Sequence, residues 1–593
     1  MLKNLLILKN ILGKQNSRKI FLLIPLFLIS ALLETVSVGL IVPLVSILTD
    51  DSVVRDFLSS RDIFIYSSDI SLKYYILGLF LLVYLLKSTY SILFFYFTQK
   101  FFSVIRGDLH TELYNHYLNA NYEFHLQHNR SALKRNIDEV GSVFTSYLSP
   151  LLLMAVEVTI MVGLISMLLI TEPKITMFAF LLLSSISYVT YFFAKPKFTK
   201  LGRERVDTSE KINRHLYQGL GAIKEIKILK KEKYFSTEFS TYMRKYLKLD
   251  LLNSVYSLAS STFIEVMFII SAISLMFFVL VSTNLQESLP VVALFALASI
   301  RILQSIKKSY LCLGTIAFAQ GALELVSRET SNIAPIKSTD INLINIGDLE
   351  VDFKNKIDAV NIGFKFQNSK QTVLDSVSID LPKNSSIAII GESGSGKTTL
   401  VNIFLGLLEL SEGHFLIDGN KTTNLSLLKN KIGYVPQNVY ITDDSIASNI
   451  AFGIKQDDID YDRVSKSLKL SSLFEFASDL PDGLDTILGE DGARMSGGQR
   501  QRLGIARALY NDPDIIVLDE VTASLDGATE SAVMDVIYEM SQNKTIVIIT
   551  HKLNTIKSCD KIYLLGKGKI QGVGNYEQLY SNNQDFKNLA DNY

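Results

Sequence analysis

Apolar positions crowd the first half of this 593-residue chain and thin out in the second. Six predominantly apolar stretches, at roughly 20–48, 74–98, 147–170, 175–195, 255–282 and 288–312, are each long enough for one helical membrane crossing. About 20 residues at 1.5 Å per residue span a hydrocarbon core about 30 Å thick. The connections are unequal. Thr171-Glu172-Pro173-Lys174 alone joins the third and fourth stretches, whereas about 50 residues separate the second from the third and about 60 the fourth from the fifth. These long connections contain few Gly or Pro and keep a helical period, which predicts helices running on beyond the bilayer on one side. Beyond residue 350 the pattern changes to short apolar runs alternating with helical segments and Gly-rich turns, the mark of an α/β domain. The expected organisation is a transmembrane domain over 1–325, a linker over 326–350 and a soluble domain over 351–593.

Charge orients this plan. Lys+Arg and Asp+Glu balance at 59 each, so nothing overall argues for nucleic acid. Locally, residues 1–19 carry Lys3, Lys9, Lys14, Arg18 and Lys19 with no acidic residue, and 195–250 carries 15 Lys/Arg against 7 Asp/Glu. By the positive-inside rule both segments are cytoplasmic, which predicts a multi-pass protein of the inner (plasma) membrane with the soluble domain in the cytoplasm. The first apolar run, about 28 residues long, has no small-residue cleavage site after it and reads as a membrane helix rather than a removable signal. Cys312 and Cys559 lie too far apart in sequence to suggest a disulfide framework or a zinc site. The outer loop from about Asp50 to Leu72 carries Val54, Phe57, Leu58, Ile63, Phe64 and Ile65, and is either an amphipathic interfacial helix or a solvated loop. At the inner turning points, Asn121-Tyr122-Glu123-Phe124-His125 and Tyr217-Gln218-Gly219-Leu220-Gly221 read as short helices that touch the soluble domain.

The chemistry is concentrated in the second half. Gly391-Glu392-Ser393-Gly394-Ser395-Gly396-Lys397-Thr398 follows the apolar run Ser386–Ile390 and precedes Thr399-Leu400-Val401, which is the strand–loop–helix setting of a P-loop. Glycines let backbone N–H groups curl around phosphates at a helix N-terminus, Lys397 neutralises β/γ-phosphate charge, and the Thr398 hydroxyl can ligate Mg²⁺. Further on, Ile515-Ile516-Val517-Leu518-Asp519-Glu520 reads as a buried strand ending in two carboxylates. Asp519 at its C-terminal edge can hold Mg²⁺, Glu520 can polarise an attacking water, and His551, after the strand 545–550, can reach a γ-phosphate.

Between these lies Met495-Ser496-Gly497-Gly498-Gln499. The ordered set of P-loop, Gln437 loop, SGGQ signature, LDE strand, Ser524-Leu525-Asp526 and His551 resembles the nucleotide-binding domain of ATP-binding cassette transporters over about 365–580, and the six-helix half resembles their exporter layout. The resemblance implies an α-helical six-span transmembrane domain plus an α/β P-loop nucleotide-binding domain, with ATP and Mg²⁺ as cofactors. It implies that Glu520, His551 and Gln437 are catalytic and that Thr398, Gln437 and Asp519 face the metal. Phe366, Gly391, Ser393, Gly394, Ser395, Gly396, Lys397, Thr398, Thr399, Ser496, Gly497, Gly498, Gln499 and Asp526 would then bind nucleotide. In that family the signature caps the ATP held by a second copy's P-loop, so a homodimer with two composite sites is implied. Two departures stand out. Met495 replaces the usual Leu, a volume-conserving change. Phe366 replaces the usual adenine-stacking Tyr, for which only the ring face is needed. Gly489-Glu490-Asp491-Gly492 resembles the loop by which exporters couple their halves.

Cargo is read from polar residues inside the spans. Lys87 sits near the middle of the second span, where a charge costs about 2.5–3.5 kcal/mol on insertion scales. Arg301 and Lys308 lie two turns apart on one face of the sixth, with Lys307 beside them. They either line a cavity for an anionic group or, for the two lysines, snorkel to the boundary. Glu34, Glu157 and Glu265 are intramembrane acids able to pair with these bases. The whole chain is similar to the flippase of bacterial N-glycosylation, on Glu34 and the apolar stretch after it, Lys87, the Arg301/Lys308 spacing, Ile390–Gly394 and Tyr434–Tyr440; around Ser260-Ser261-Thr262 it has no corresponding base. That resemblance implies an amphipathic, anionic, lipid-linked substrate and contact with membrane lipid. The alternatives are an exporter of peptides or hydrophobic compounds, and an ATP-gated channel or regulator.

Overall fold

The computed structural model describes residues 7–8, 11, 23–40, 69–171, 173–282, 285–332, 353–366, 369, 371–522 and 527–591. The outer loop at 50–68 and Asp526 lie outside them. The chain divides into two compact units: Met1–Ala120 with His125–Pro335, and Asn121–Phe124 with Ile336–Tyr593.

The first unit is helical: α1 (Leu23–Gly39), α2 (Asp69–Asn119), α3 (Tyr122–Gln127, of which Tyr122–Phe124 are assigned to the second unit), α4 (Arg130–Val143), α5 (Ser149–Thr171), α6 (Pro173–Gly221), α7 (Ile223–Leu229), α8 (Glu232–Ser282), α9 (Leu285–Phe318) and α10 (Gln320–Asn332). The predicted crossings overlap α1, α2, α5, α6, α8 and α9, and residues 20–22 and 41–48 of the first lie outside the described residues. Among the described residues, Leu77–Asn119, Arg130–Ile170 and Glu232–Ser271 are long and apolar enough to cross a membrane, and Ala298–Phe318 joins them if its 49° bend into Gln320–Thr330 counts as one span. At 51, 49 and 51 residues, α2, α6 and α8 are more than twice the length a bilayer needs, so they continue well past it. Pro173 opens α6, where its missing N–H costs no hydrogen bond.

Ala31, Ile160, Leu164, Leu168, Phe268 and Ile302 from α1, α5, α8 and α9 form the interior of the helical unit. Leu81, Leu82, Leu85, Ile92 and Phe95 of α2 point outward instead, as an element solvated by lipid requires. Helices α6 and α9 meet at Gly202, where a Cβ would lie 1.8 Å from the carbonyl oxygen of Phe318. Helix continues past residue 325, where Leu323 and Val326 are fully buried on α10, and is described as far as Asn332. Residues 333–352 lie outside the described set.

The second unit holds two sheets. Strands β1 (Lys356–Lys365), β2 (Thr372–Pro382), β4 (Glu412–Ile417) and β5 (Asn420–Thr422) form an antiparallel sheet in the order β2-β1-β4-β5. Strands β3 (Ser386–Ile390), β6 (Ile432–Val435), β7 (Ile515–Asp519), β8 (Thr545–Ile549), β9 (Lys561–Gly566) and β10 (Lys569–Gly574) form the other, in the order β10-β9-β3-β8-β7-β6. It is parallel except for β10. Every residue of β3, β7 and β8 is buried, which is why each reads as an unbroken apolar run. One core fills the space between the two sheets, around Leu374, Ile387, Leu400, Val517 and Val547. A separate helical core, around Ile446, Val464, Leu468 and Leu503, surrounds the signature segment.

Candidate functional site

The phosphate cradle is the loop from β3 to helix α11 (Lys397–Phe404). A Cβ on Gly391 would lie 2.0 Å from the carbonyl oxygen of Leu565, and Gly396, at φ +106°, would press a Cβ to 2.8 Å from Leu374. Only glycine fits both positions. Lys397 Nζ donates to the carbonyl oxygens of Gly391 (2.8 Å) and Glu392 (3.0 Å), arching over the loop. Burial pushes its amine below the ordinary lysine range, against the pull of Glu520 and Asp519. Ser395 is buried, and its Oγ has no hydrogen-bond partner among the described residues. An unpaired hydroxyl inside a glycine loop at a helix N-terminus fits a phosphate-bearing ligand. Ser393, Gly394 and Thr398 are exposed and Thr399 is half-buried.

The carboxylates stand at the end of β7. Burial, and then Glu520, raise the Asp519 carboxyl above its ordinary range. Tyr434, on neighbouring β6, donates its hydroxyl to Asp519 Oδ2 at 3.4 Å, and burial followed by that carboxylate pushes the phenol up. Glu520 takes a left-handed backbone, φ 50°, a conformation that costs a non-glycine residue about 1–2 kcal/mol. Its own N–H donates to the Ile549 carbonyl oxygen on β8 at 2.8 Å, and its side chain meets two of the residues expected to be catalytic. Gln437 Nε2 donates to Glu520 Oε2 at 2.6 Å, and His551 Nδ1 lies 3.4 Å from Oε1. Among the described residues no cluster of three His, Cys, Asp or Glu could hold a metal alone. The Thr398 hydroxyl and Asp519 carboxylate are a hard-oxygen pair of the kind that holds Mg²⁺ together with phosphate oxygens and water, so the residues present fit that ion.

The signature builds its own helix end. Ser496 caps helix α12 (Gly497–Leu509), its Oγ accepting from the Gln499 N–H at 3.2 Å while Gln499 Oε1 accepts from the Ser496 N–H at 2.8 Å. Met495 is buried in the helical core beside it. One face of α12 lies in that core through Leu503 and Ala506, and the other joins the sheet through Ile505 and Leu509, so the helix ties the signature to β7. Phe366 is half-buried, its ring 4.9 Å from Phe364 and nearly perpendicular to it.

Two residues to which motif reading gave no role complete the site. Tyr434 touches Asp519 only because β6 pairs with β7, and Gln501, buried on α12, donates to the carbonyl oxygen of Gln437 at 2.7 Å. The available signal for Gln501 was a polar residue on the inward face of an amphipathic helix.

In the helical unit, Lys87, Arg301 and Lys308 come together with two acids. Lys87 Nζ meets Glu34 at 3.0 Å, Arg301 Nε meets the other Glu34 oxygen at 2.5 Å, and Arg301 Nη1 meets Glu157 at 3.2 Å. Lys308 meets Glu157 at 3.0 Å, the Ser305 hydroxyl donates to the same carboxylate at 2.7 Å, and Lys307 pairs separately with Glu265 at 2.6 Å.

Two family models match the chain: an ABC transporter transmembrane region over residues 20–306 and an ABC transporter domain over 374–523. The chain belongs to the ABC transporter family. Its second unit is therefore an ATP-binding domain and its first is embedded in a membrane. A bacterial Atm1-family ABC exporter with ATP bound shares the fold, with a TM-score of 0.75 at 20% identity over 95% of this chain and 98% of that one. ATP-dependent lipid A-core flippases from Haemophilus influenzae (strain 86-028NP) and Ralstonia nicotianae (strain ATCC BAA-1114 / GMI1000) are 35% and 38% identical to it over 238 and 222 residues. The matched region covers 40% and 37% of this chain, and spans 40% and 38% of the length of those relatives.

Proposed function

We propose that this ABC transporter is an exporter half that works as a homodimer, hydrolysing ATP to move an anionic amphiphile, a lipid or lipid-linked saccharide, from the inner to the outer side of the plasma membrane. The observation that carries the reading is the meeting of Gln437 and His551 on Glu520 at the end of β7, in a chain that also carries a membrane domain. Glu520 accepts a proton from the attacking water, Gln437 orients that carboxylate, and His551 steadies it from the other side. Lys397 and the loop N–H groups hold the β- and γ-phosphates. Thr398, Asp519 and Gln437 would hold Mg²⁺, which when bound would neutralise charge on those phosphates. Asp526 would contribute from beside the nucleotide and Phe366 would stack on the base.

Each chain has one P-loop and one signature, so two copies give two composite sites. Closing the ATP-binding domains on nucleotide would then reshape the membrane domains. The anionic cargo is supported by the intramembrane cluster of Lys87, Arg301 and Lys308 and by the likeness to flippases of lipid A-core.

The test is ATPase stimulation and translocation in proteoliposomes offered phosphorylated glycolipids, phospholipids, peptides and hydrophobic drugs. Stimulation and outward movement of the phosphorylated amphiphiles are expected. Response to peptides or drugs alone would overturn the cargo.

A further inference from the structure

The bases that make an anionic cargo attractive are already occupied. Both oxygens of Glu34 are engaged, one by Lys87 of α2 and one by Arg301 of α9, and both oxygens of Glu157 on α5 are engaged by Arg301, Ser305 and Lys308. Arg301 is the shared member, so a single guanidinium ties α1 to α5 through α9. Four of the five charged side chains are 18% exposed or less, whereas Lys308 is 61% exposed. Three cations face two carboxylates, which leaves one positive charge in excess, and Lys308 is where a ligand can first meet it.

Carboxylate and phosphate oxygens compete for the same donors, and a guanidinium accepts either through its fork. We infer that Glu34 and Glu157 are built-in stand-ins for the cargo's anionic group, and that a phosphate-bearing headgroup binds by displacing them from Lys308 and Arg301. The inference rests on the anionic-cargo reading above and adds its gating. Binding at Lys308 satisfies the excess charge, and passage of the phosphate to Arg301 breaks the tie between α1 and α5. Cargo therefore gains different contacts in the tied and untied arrangements, which is the condition for a ligand to shift a conformational equilibrium. A neutral amphiphile has no such exchange to offer and leaves the tie in place.

The prediction separates this role from a merely structural one. In full-length protein in phosphatidylcholine nanodiscs, the amount of phosphatidylglycerol or of a polyprenyl phosphate giving half-maximal ATPase stimulation is measured, with diacylglycerol and polyprenol as neutral controls. In Glu157→Gln and Glu34→Gln the competitor is weakened, so that amount is expected to fall by roughly tenfold, the fold-change of one charge-assisted hydrogen bond. The neutral controls are expected to stay silent. Response to only one of the two phosphate lipids identifies the source of the headgroup and supports the exchange. If either Gln variant fails to fold, judged by its melting curve, the other carries the test, because the two acids meet Arg301 through different nitrogens, Nε and Nη1. Folded Gln variants that respond at an unchanged or higher lipid amount, while wild type does respond, would overturn the exchange and leave the cargo reading standing. A wild type that ignores both phosphate lipids would overturn the two together.

Discussion

The side-chain amide of Gln437 donates to the Glu520 carboxylate over 2.6 Å, and the backbone carbonyl of the same Gln437 accepts from Gln501 on the signature helix. One residue thus joins the proposed base to the helix that begins at Ser496. A shift of that helix would be felt at Glu520 through two hydrogen bonds.

Glu520→Gln keeps the shape and the left-handed backbone but removes the proton acceptor. ATP binding is expected to survive while turnover falls by about 10²–10⁴-fold, measured as bound nucleotide against steady-state phosphate release. Ordinary turnover in that variant would reassign the base. The strain at φ 50° makes a second contrast. Glu520→Gly and Glu520→Ala should both be inactive, but the glycine form should be about 1 kcal/mol the more stable by denaturant unfolding, because glycine alone takes that backbone freely.

Gly202→Ala tests the crossing of α6 and α9. The new methyl would meet the Phe318 carbonyl oxygen at 1.8 Å, and since that atom is backbone the helices must move apart. A loss of about 1–3 kcal/mol is expected, read from melting in detergent. Gly107→Ala on α2 is the control: nothing lies within 4 Å of its Cβ, so helix propensity alone acts and stability should hold or rise by up to about 1 kcal/mol.

These contrasts show where linear reading of the chain succeeds. The long helices were legible because length and apolarity alone decide a crossing, and the P-loop, LDE strand and signature were legible because each is contiguous in sequence. The pairing of Glu34 with Lys87 and Arg301 was open only as a possibility, since it joins residues up to 267 positions apart. Tyr434 and Gln501 acquire roles only when β6 is laid beside β7 and α12 is turned inward. Helix runs on to Asn332 although Ser327-Arg328-Glu329-Thr330 reads as polar, because burial of Leu323 and Val326 on the other face holds it. The left-handed backbone at Glu520 has no sequence signature at all: it arises where β7 ends, with the Glu520 N–H still bonded to Ile549 of β8.

Asp418 predicts how acid weakens the ATP-binding unit. Its carboxylate accepts the N–H groups of Lys354, Asn355 and Lys356 at 2.7, 2.7 and 2.8 Å, fixing the chain where it enters β1. Desolvation, the largest single influence, acts to raise its pKa, but those three bonds and nearby Lys383 together outweigh it and hold the carboxyl below the usual range. A carboxyl more acidic folded than unfolded stabilises the fold above its unfolded pKa of about 3.9 and loses that contribution as pH drops through the folded value. Asp418→Asn should therefore melt below wild type at neutral pH, with the gap closing under acid. A gap that ignores pH would show that the carboxylate's charge is not what matters.

The homodimer is tested by pairing two defects. Lys397→Ala disables a phosphate cradle, and Ser496→Arg places a bulky cation where the signature helix begins, so either variant alone should be inactive. If each ATP were held within one polypeptide, a dimer of one Lys397→Ala chain and one Ser496→Arg chain would contain no intact site. If ATP lies between the cradle of one copy and the signature of the other, the same dimer has one site carrying both defects and one carrying neither. Co-expressed with two affinity tags and purified through both, the mixed dimer should regain a substantial part of wild-type ATPase activity while each parent stays silent. A mixed dimer as inactive as its parents would remove the composite site, and with it the argument that one chain is half of the transporter.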